Sequence, residues 1–184
     1  YDKLNNGMNE KGGLPKVLFQ AGIDNQKERK ALAARRRTSG VSDLKHLVFD
    51  RFIFSKVRER FGGRLKYAIS GGAALSTEVA EFIDDLGITV FEGYGLSETS
   101  PIVAANFPGA RKLGSVGKCI PGVRVEIDTS VTGDPKHGEI VVFGHNVMAG
   151  YHNLPEENAR VFVDRGAERG LRTGDMGYLD GEGF

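Results

Sequence analysis

The sequence has a single cysteine, Cys119, which excludes a disulfide framework within the chain and a metal cluster built on thiolates. One thiol fits a reducing compartment, and we expect a cytoplasmic protein. No segment approaches the roughly 20 apolar residues that a helix needs to cross a bilayer. The formal net charge is only +1, so the overall charge gives no indication of nucleic-acid binding. The four histidines lack the spacing of metal ligands, and Cys119 lacks a suitably spaced histidine that would make it a nucleophile.

Positive charge is concentrated in the run Arg35-Arg36-Arg37, which follows Arg29 and Lys30. Such a run is usually the solvated face of a helix. The alternative is contact with anionic lipid headgroups, which predicts peripheral contact with a membrane.

The first part of the chain has helical character. Residues 1–15 are polar and glycine-rich and predict a loop, whereas 15–37 are rich in helix-forming residues. A further helix is expected over about 50–61. The apolar stripe of the first helix would comprise Val17, Leu18, Ala21 and Leu32.

A strand–helix–strand unit follows. Residues 65–70 alternate like a strand, and Ser76 or Thr77 is placed to cap a helix that ends at Gly87. Residues 88–92 then read as a β-branched and aromatic strand. Because a helix connects the two strands, we expect them to be parallel.

Helical periodicity ends after residue 106, and glycines and short strands take over. Strands are expected over 123–127 and 139–143, joined by a turn at 132–135. Asn153 is a candidate helix cap, and Tyr178-Leu179 a candidate last strand. The predicted fold class is therefore α/β: a βαβ lobe with a parallel sheet, then a mostly antiparallel β lobe. We expect the boundary near residues 107–113, giving subdomains 1–108 and 109–184.

Two glycine-rich turns lie at the carboxyl ends of the predicted parallel strands, where open sheets bind ligands. One is Ser70-Gly71-Gly72-Ala73, and the other runs from Glu92 to Thr99. In the second turn Tyr94 could stack on a base, and Glu98 is a hard oxygen ligand suited to magnesium. These turns favour a nucleotide site. They are also compatible with ordinary strand–helix junctions, a half-buried tyrosine, and a carboxylate near a helix start.

Three ordered motifs resemble those of the adenylate-forming family of AMP-binding enzymes. Gly93-Tyr94-Gly95-Leu96-Ser97-Glu98-Thr99-Ser100 is similar to the family signature, with serine at 97 where threonine is usual. Ser70–Leu75 resembles the adenine-binding turn, with Ala74 at a frequent proline position, and Arg172-Thr173-Gly174-Asp175 resembles the third nucleotide motif. Residues 49–56 and 62–65 resemble the long-chain fatty acyl branch in particular.

The resemblance implies a role for each matching residue. Tyr94 would form one wall of an adenine slot and the first turn the other; Ser97 would hydrogen-bond the α-phosphate. Glu98 would bind Mg²⁺, and Asp175 would hold the ribose hydroxyls, although an aspartate after a glycine often only forms a turn. Ser97 and Glu98 are thus the implied catalytic residues. The implied nucleotide-binding residues are Gly71, Gly72, Ala73, Glu92, Gly93, Tyr94, Gly95, Leu96, Ser97 and Asp175.

The implied activity has two steps: a fatty acid and ATP form an acyl-adenylate, and the thiol of coenzyme A then forms the acyl-CoA. Two alternatives remain open. Another branch of the family could use a different acid or acceptor, and the chain alone could be a noncatalytic nucleotide-binding fragment. The family's phosphate loop and its C-terminal domain with the catalytic lysine have no counterpart here. We therefore expect an internal piece of the large N-terminal domain that is inactive alone.

Overall fold

The computed structural model describes residues 13–184, which form two compact units. The first comprises 13–68 and Leu75–Val90, and the second Ile69–Ala74 and Phe91–Phe184. Residues 1–12 of the predicted N-terminal loop lie outside the described residues. The subdomain boundary expected near 107–113 stays a prediction.

The first unit is helical. Its elements are α1 (Gly13–Ala34), α2 (Gly40–Phe49), a π-helical turn (Asp50–Phe54), α3 (Ser55–Glu59) and α4 (Thr77–Asp85). Helix α1 confirms the long helix, but its predicted stripe is wrong, because Val17 and Leu18 are exposed. Phe19 and Ile23, four residues apart and so on one face, are buried instead. They pack with Phe54 and Leu86.

Local signals begin and end helix α4. Ser76 caps α4 by accepting a hydrogen bond from the amide of Val79, and Gly87 follows the helix with φ +80°. At the same end Asp85, almost fully buried, pairs with Lys30 at 2.6 Å. The helix predicted over 50–61 is the later part of a longer helical segment that begins at Gly40.

The second unit is built mainly from antiparallel strands. One sheet has the order β1-β2-β3-β4, with β1 (Tyr67–Ser70), β2 (Thr89–Tyr94), β3 (Ala104–Ala105) and β4 (Lys118–Cys119). The first two residues of β1 and of β2 fall within the ranges of the first unit, and the other residues of this sheet fall within those of the second. Strands β1 and β2 are those of the predicted strand–helix–strand unit, and they are neighbours in the sheet. The pairs β2–β3 and β3–β4 are antiparallel.

The other sheet confirms the antiparallel prediction. Its order is β5-β6-β8-β7, with β5 (Val123–Asp128), β6 (Gly138–Gly144), β7 (Phe162–Arg165) and β8 (Glu168–Gly177). All three strand pairs are antiparallel. A core of Val103, Val123 and Val142 lies in this unit. With helices and two sheets, the chain has the mixed α/β class that the sequence predicts.

Two local predictions in this unit are wrong. The helix α5 (Pro155–Val161) has Leu154 at its N-cap without a side-chain hydrogen bond, so Asn153 is not the cap. Asn153 instead adopts φ +54°, a conformation that asparagine tolerates in turns. Residues 178–179 are not a strand, because β8 ends at Gly177.

Candidate functional site

A cavity of about 880 Å³ lies within the second unit, and both predicted glycine-rich turns line it. Its volume is in the range of small-molecule sites, about 300–1,000 Å³. It collects most of the predicted nucleotide-binding residues from distant parts of the chain. Those lining it are Gly72, Ala73, Glu92, Gly93, Tyr94, Gly95, Leu96, Ser97 and Asp175.

The first turn follows β1 and depends on backbone freedom. Gly72 has φ +81°, which L residues with a side chain rarely adopt. Gly71 does not line the cavity, and a β-carbon at this position would lie 3.5 Å from the carbonyl oxygen of Gly93. Gly71 therefore lies where the two turns approach each other.

The second turn is fixed by close backbone packing and by one side-chain hydroxyl. A β-carbon on Gly95 would lie 1.7 Å from the carbonyl oxygen of Pro101, so only glycine fits. The buried hydroxyl of Thr99 accepts a hydrogen bond from the amide of Leu96 and donates one to its carbonyl, both at 3.0 Å. This closes the short 3₁₀ turn Ser97–Thr99. The exposed Ser97 thus begins a rigid turn at the edge of the cavity.

Asp175 reaches the cavity because β8 bulges. The pairing of β6 with β8 jumps from Glu139–Met176 to Val141–Arg172, which leaves residues 173–175 without regular partners. Gly174 has φ +75°, and the hydroxyl of Thr173 bonds the carbonyl of Ile140 at 2.8 Å. The third motif is therefore a bulge, a feature that re-aims a side chain out of a sheet.

An ion-pair network stabilises this bulge. Arg172 pairs with Glu139 at 2.5 Å and with Asp128 at 2.7 Å, and both carboxylates are largely buried. Glu139 also accepts the amide of Gly174 at 3.1 Å. Hydrogen bonds from Ser130 and Arg172 hold the pKa of Asp128 down at about 2. The arginine of the motif is therefore structural, and it fixes the backbone that carries Asp175.

Tyr94 and Asp175 are in direct contact, although 81 residues separate them in the sequence. The phenol of Tyr94 donates a hydrogen bond to Oδ2 of Asp175 at 2.8 Å. Burial raises the pKa of the Tyr94 phenol well above its ordinary value, and Asp175 raises it further. The tyrosine is thus a neutral donor to the carboxylate, and the two predicted ligands of one nucleoside form a hydrogen-bonded pair.

Glu98, the predicted magnesium ligand, lies apart from these residues. It lines a second cavity of about 380 Å³, and Leu96 lines both cavities. Its Oε1 accepts a hydrogen bond from the phenol of Tyr151 at 2.8 Å. This contact raises the pKa of Tyr151. Among residues 13–184, no group of three or more His, Cys, Asp or Glu side chains is arranged to hold a metal ion alone.

Sequence reasoning assigned no role to Tyr151 or to Lys112, a lysine in the wall of the larger cavity. Lys112 pairs with Asp180 at 2.6 Å and with Glu182 at 3.1 Å. The hydrogen bond from Lys112 holds the pKa of Asp180 down at about 2. Tyr151 lines the smaller cavity, where its phenol reaches Glu98. Neither residue has a spacing that predicts its contact.

In the described part of the chain, no helix is both long and apolar enough to span a membrane.

Comparison with known proteins agrees with the motifs. The family model described as AMP-binding enzyme matches residues 17–152. A long-chain-fatty-acid–CoA ligase from Bacillus subtilis is 46% identical over 126 residues, covering 65% of this chain and 22% of that protein. The long-chain-fatty-acid–CoA ligase FadD15 of Mycobacterium bovis is 39% identical over 140 residues, covering 76% and 22%. The chain therefore spans about a fifth of the length of these curated relatives.

The fold also matches solved structures. O-succinylbenzoate coenzyme A synthetase (MenE) from Bacillus subtilis, solved in complex with ATP and magnesium ion, superposes with a TM-score of 0.56 at 30% identity. The match covers 80% of this chain and 34% of that one. Since the family model matches most of the chain and the motif residues line one cavity, the chain belongs to the family of AMP-binding, adenylate-forming enzymes.

Proposed function

We propose that the complete protein is an ATP-dependent ligase that converts a long-chain fatty acid to its acyl-adenylate and then to acyl-CoA. The observation that carries the proposal is the cavity that joins Tyr94, Asp175 and the turn after β1. The names of the relatives, long-chain-fatty-acid–CoA ligases at 39–46% identity, support the fatty acid as substrate. The structure of MenE with ATP and magnesium supports the nucleotide and the cation.

In this proposal the larger cavity holds the nucleoside. The β-carbon position of Gly72 is open, so the backbone there can approach a flat base, with the ring of Tyr94 as the opposite wall. The Asp175 carboxylate accepts hydrogen bonds from the ribose hydroxyls, a charge-assisted interaction. Tyr94 already bonds one carboxylate oxygen, so it orients the group before nucleotide arrives.

The second turn serves the phosphates. The Ser97 hydroxyl is exposed at the edge of the cavity and is assigned to the α-phosphate. Glu98 alone fits a Mg²⁺ ion that takes its other ligands from phosphate and water, which is the usual way proteins bind this ion with a nucleotide. When bound, the ion neutralises charge on the phosphate oxygens.

The reaction then follows from charge and position. A carboxylate oxygen of the fatty acid attacks the α-phosphorus of ATP, and pyrophosphate leaves. The sulfur of coenzyme A next attacks the acyl carbon, the bond from that carbon to the phosphate oxygen breaks, and AMP and the thiol proton leave. This chain's residues hold the AMP part through both steps, and the hydroxyl of Ser97 donates to an α-phosphate oxygen as its charge develops.

The test is pyrophosphate release by the complete protein from ATP and palmitate with magnesium. We expect palmitate-dependent release, and thioester formation with free coenzyme A. Glu98→Gln should lower the rate by roughly 100-fold, the scale for losing a group that stabilises developing charge. Glu81→Gln, an exposed position on α4, is the matched control and should retain the rate. Activity and magnesium dependence that are both unchanged in Glu98→Gln would remove Glu98 from the cation site.

Two alternatives give different results in the same assays. Transfer to a carrier protein but not to free coenzyme A would indicate another branch of the family. The second alternative is that the 184-residue chain alone binds nucleotide without catalysis, since its own residues line the cavity. Under this alternative, titration of the chain with nucleotide shows binding, and the chain releases no pyrophosphate with palmitate. Release at the rate of an intact ligase would refute it.

A further inference from the structure

Tyr151 makes a specific contact that the family motifs do not explain. Its phenol donates a hydrogen bond to Oε1 of Glu98 at 2.8 Å, across 53 positions of the sequence. Both residues line the smaller cavity. Two arginines also line it, but each pairs with carboxylates other than Glu98: Arg172 with Asp128 and Glu139, and Arg160 with Glu157.

The backbone of Tyr151 is held by one side chain. The amide of Asn158, on helix α5, accepts the Tyr151 N–H at 2.8 Å and donates to the Tyr151 carbonyl at 2.9 Å. Gly150 makes room for this clamp, since a β-carbon there would lie 2.9 Å from the Asn158 oxygen. Both polar groups of the Tyr151 backbone are thus fixed, which limits where its ring can go.

Glu98 is fixed at its backbone too. Its carbonyl accepts the amide of Met148 at 2.9 Å, three residues before Tyr151. The segment that carries the tyrosine is therefore attached directly to the turn that carries the glutamate. A glutamate side chain has several rotatable bonds, so a donor placed on one oxygen selects one orientation of its carboxylate.

We propose that Tyr151 is a positioning residue for Glu98. It holds Oε1 so that the other carboxylate oxygen is presented to a magnesium ion bound with the nucleotide phosphates. The inference rests on the proposed function, in which Glu98 is the protein's ligand to that ion. Groups that orient a metal ligand from behind commonly change metal affinity or activity by about 10–100-fold.

The experiment uses Tyr151→Phe in the complete protein, which removes the hydroxyl and keeps the ring. Calorimetric titration of Mg²⁺ in the presence of α,β-methylene-ATP, which is not cleaved at the reacting bond, measures cation affinity without turnover. We expect affinity about tenfold weaker than wild type. In the adenylation assay kcat should fall by a similar factor, with the KM for palmitate unchanged.

Two further variants separate positioning from folding. Tyr67→Phe removes a phenol hydroxyl on β1 and should leave cation affinity unchanged. Asn158→Asp removes the donor to the Tyr151 carbonyl, and it should weaken cation affinity in the same direction but less. A lower melting temperature with unchanged or tighter cation binding in the folded variants would overturn the positioning role. Failure of the wild-type protein to release pyrophosphate with palmitate would instead reject the proposed function.

Discussion

Replacing Tyr94 with phenylalanine separates two roles that the proposed site gives to one side chain. The variant keeps an aromatic ring against the base and loses the hydroxyl that donates to Asp175 at 2.8 Å. If the hydroxyl orients the carboxylate for the ribose, nucleotide affinity must fall although the stacking surface remains.

The size of the effect follows from the kind of bond. A hydrogen bond to a charged group contributes about 1.5–3 kcal/mol. Only part of this free energy contributes to nucleotide binding, because the phenol acts through Asp175 and because water can replace the hydroxyl at an open cavity. We therefore expect Tyr94→Phe to weaken ATP binding by about tenfold, near 1.4 kcal/mol.

The assay compares ATP with 2′,3′-dideoxy-ATP, which lacks both ribose hydroxyls. Wild-type protein should prefer ATP, and Tyr94→Phe should lose most of that preference while binding the dideoxy nucleotide almost as wild type does. Asp175→Asn tests the same coupling from the other side. An equal loss for both nucleotides would show that the hydroxyl does not act through the ribose. Tighter ATP binding would mean that Tyr94 competes with the ribose for Asp175.

The same variant has a signature at alkaline pH. The pKa of Tyr94 is raised in the folded protein, so above pH 10 the unfolded state loses this proton first. Stability from this group is therefore complete below about pH 10 and falls as the pH rises, by at most about 1.4 kcal/mol per pH unit. Tyr94→Phe should show a shallower alkaline decline in urea denaturation. Parallel declines for the two proteins would contradict the raised pKa.

Three other substitutions test the structure. Gly95→Ala places a β-carbon 1.7 Å from the carbonyl oxygen of Pro101, so we expect a loss of about 3 kcal/mol or more in denaturant unfolding; a near-wild-type midpoint would contradict the turn. Ser76→Ala removes the cap of α4 and should cost about 1 kcal/mol in the same measurement. Lys112→Met should raise the pKa of Asp180 from about 2, followed by NMR titration of its carboxyl carbon; an unchanged pKa would exclude the ion pair in solution.

The strand–helix–strand unit was predictable because its signals are local. Ser76 is a capping residue directly before an amphipathic run, and Gly87 adopts the positive φ that ends a helix. Helix α2 has a local cap as well, from Ser39, yet it was not predicted. Its apolar residues are mostly exposed in the structure, Val41 and Leu44 among them, so its pattern does not mark a buried face.

The candidate site was predictable as a set of residues but not as an arrangement. The motifs named Tyr94, Glu98 and Asp175, but no sequence spacing indicates that β8 bulges at 173–175 or that a tyrosine from another segment bonds Glu98. These contacts depend on strand register and on loops that meet across many residues. Register in particular is determined by how the whole sheet pairs, so local patterns carry little information about it.

In the proposed site, two phenol–carboxylate pairs separate the nucleoside role from the phosphate role. Tyr94 holds Asp175 at the larger cavity, and Tyr151 holds Glu98 at the smaller one, with Leu96 between them. A neutral phenol can orient a carboxylate without cancelling its charge, whereas a lysine or arginine in the same place would compete with a cation or weaken the attraction for it. In both pairs the phenol occupies one carboxylate oxygen and leaves the other to the proposed ligand.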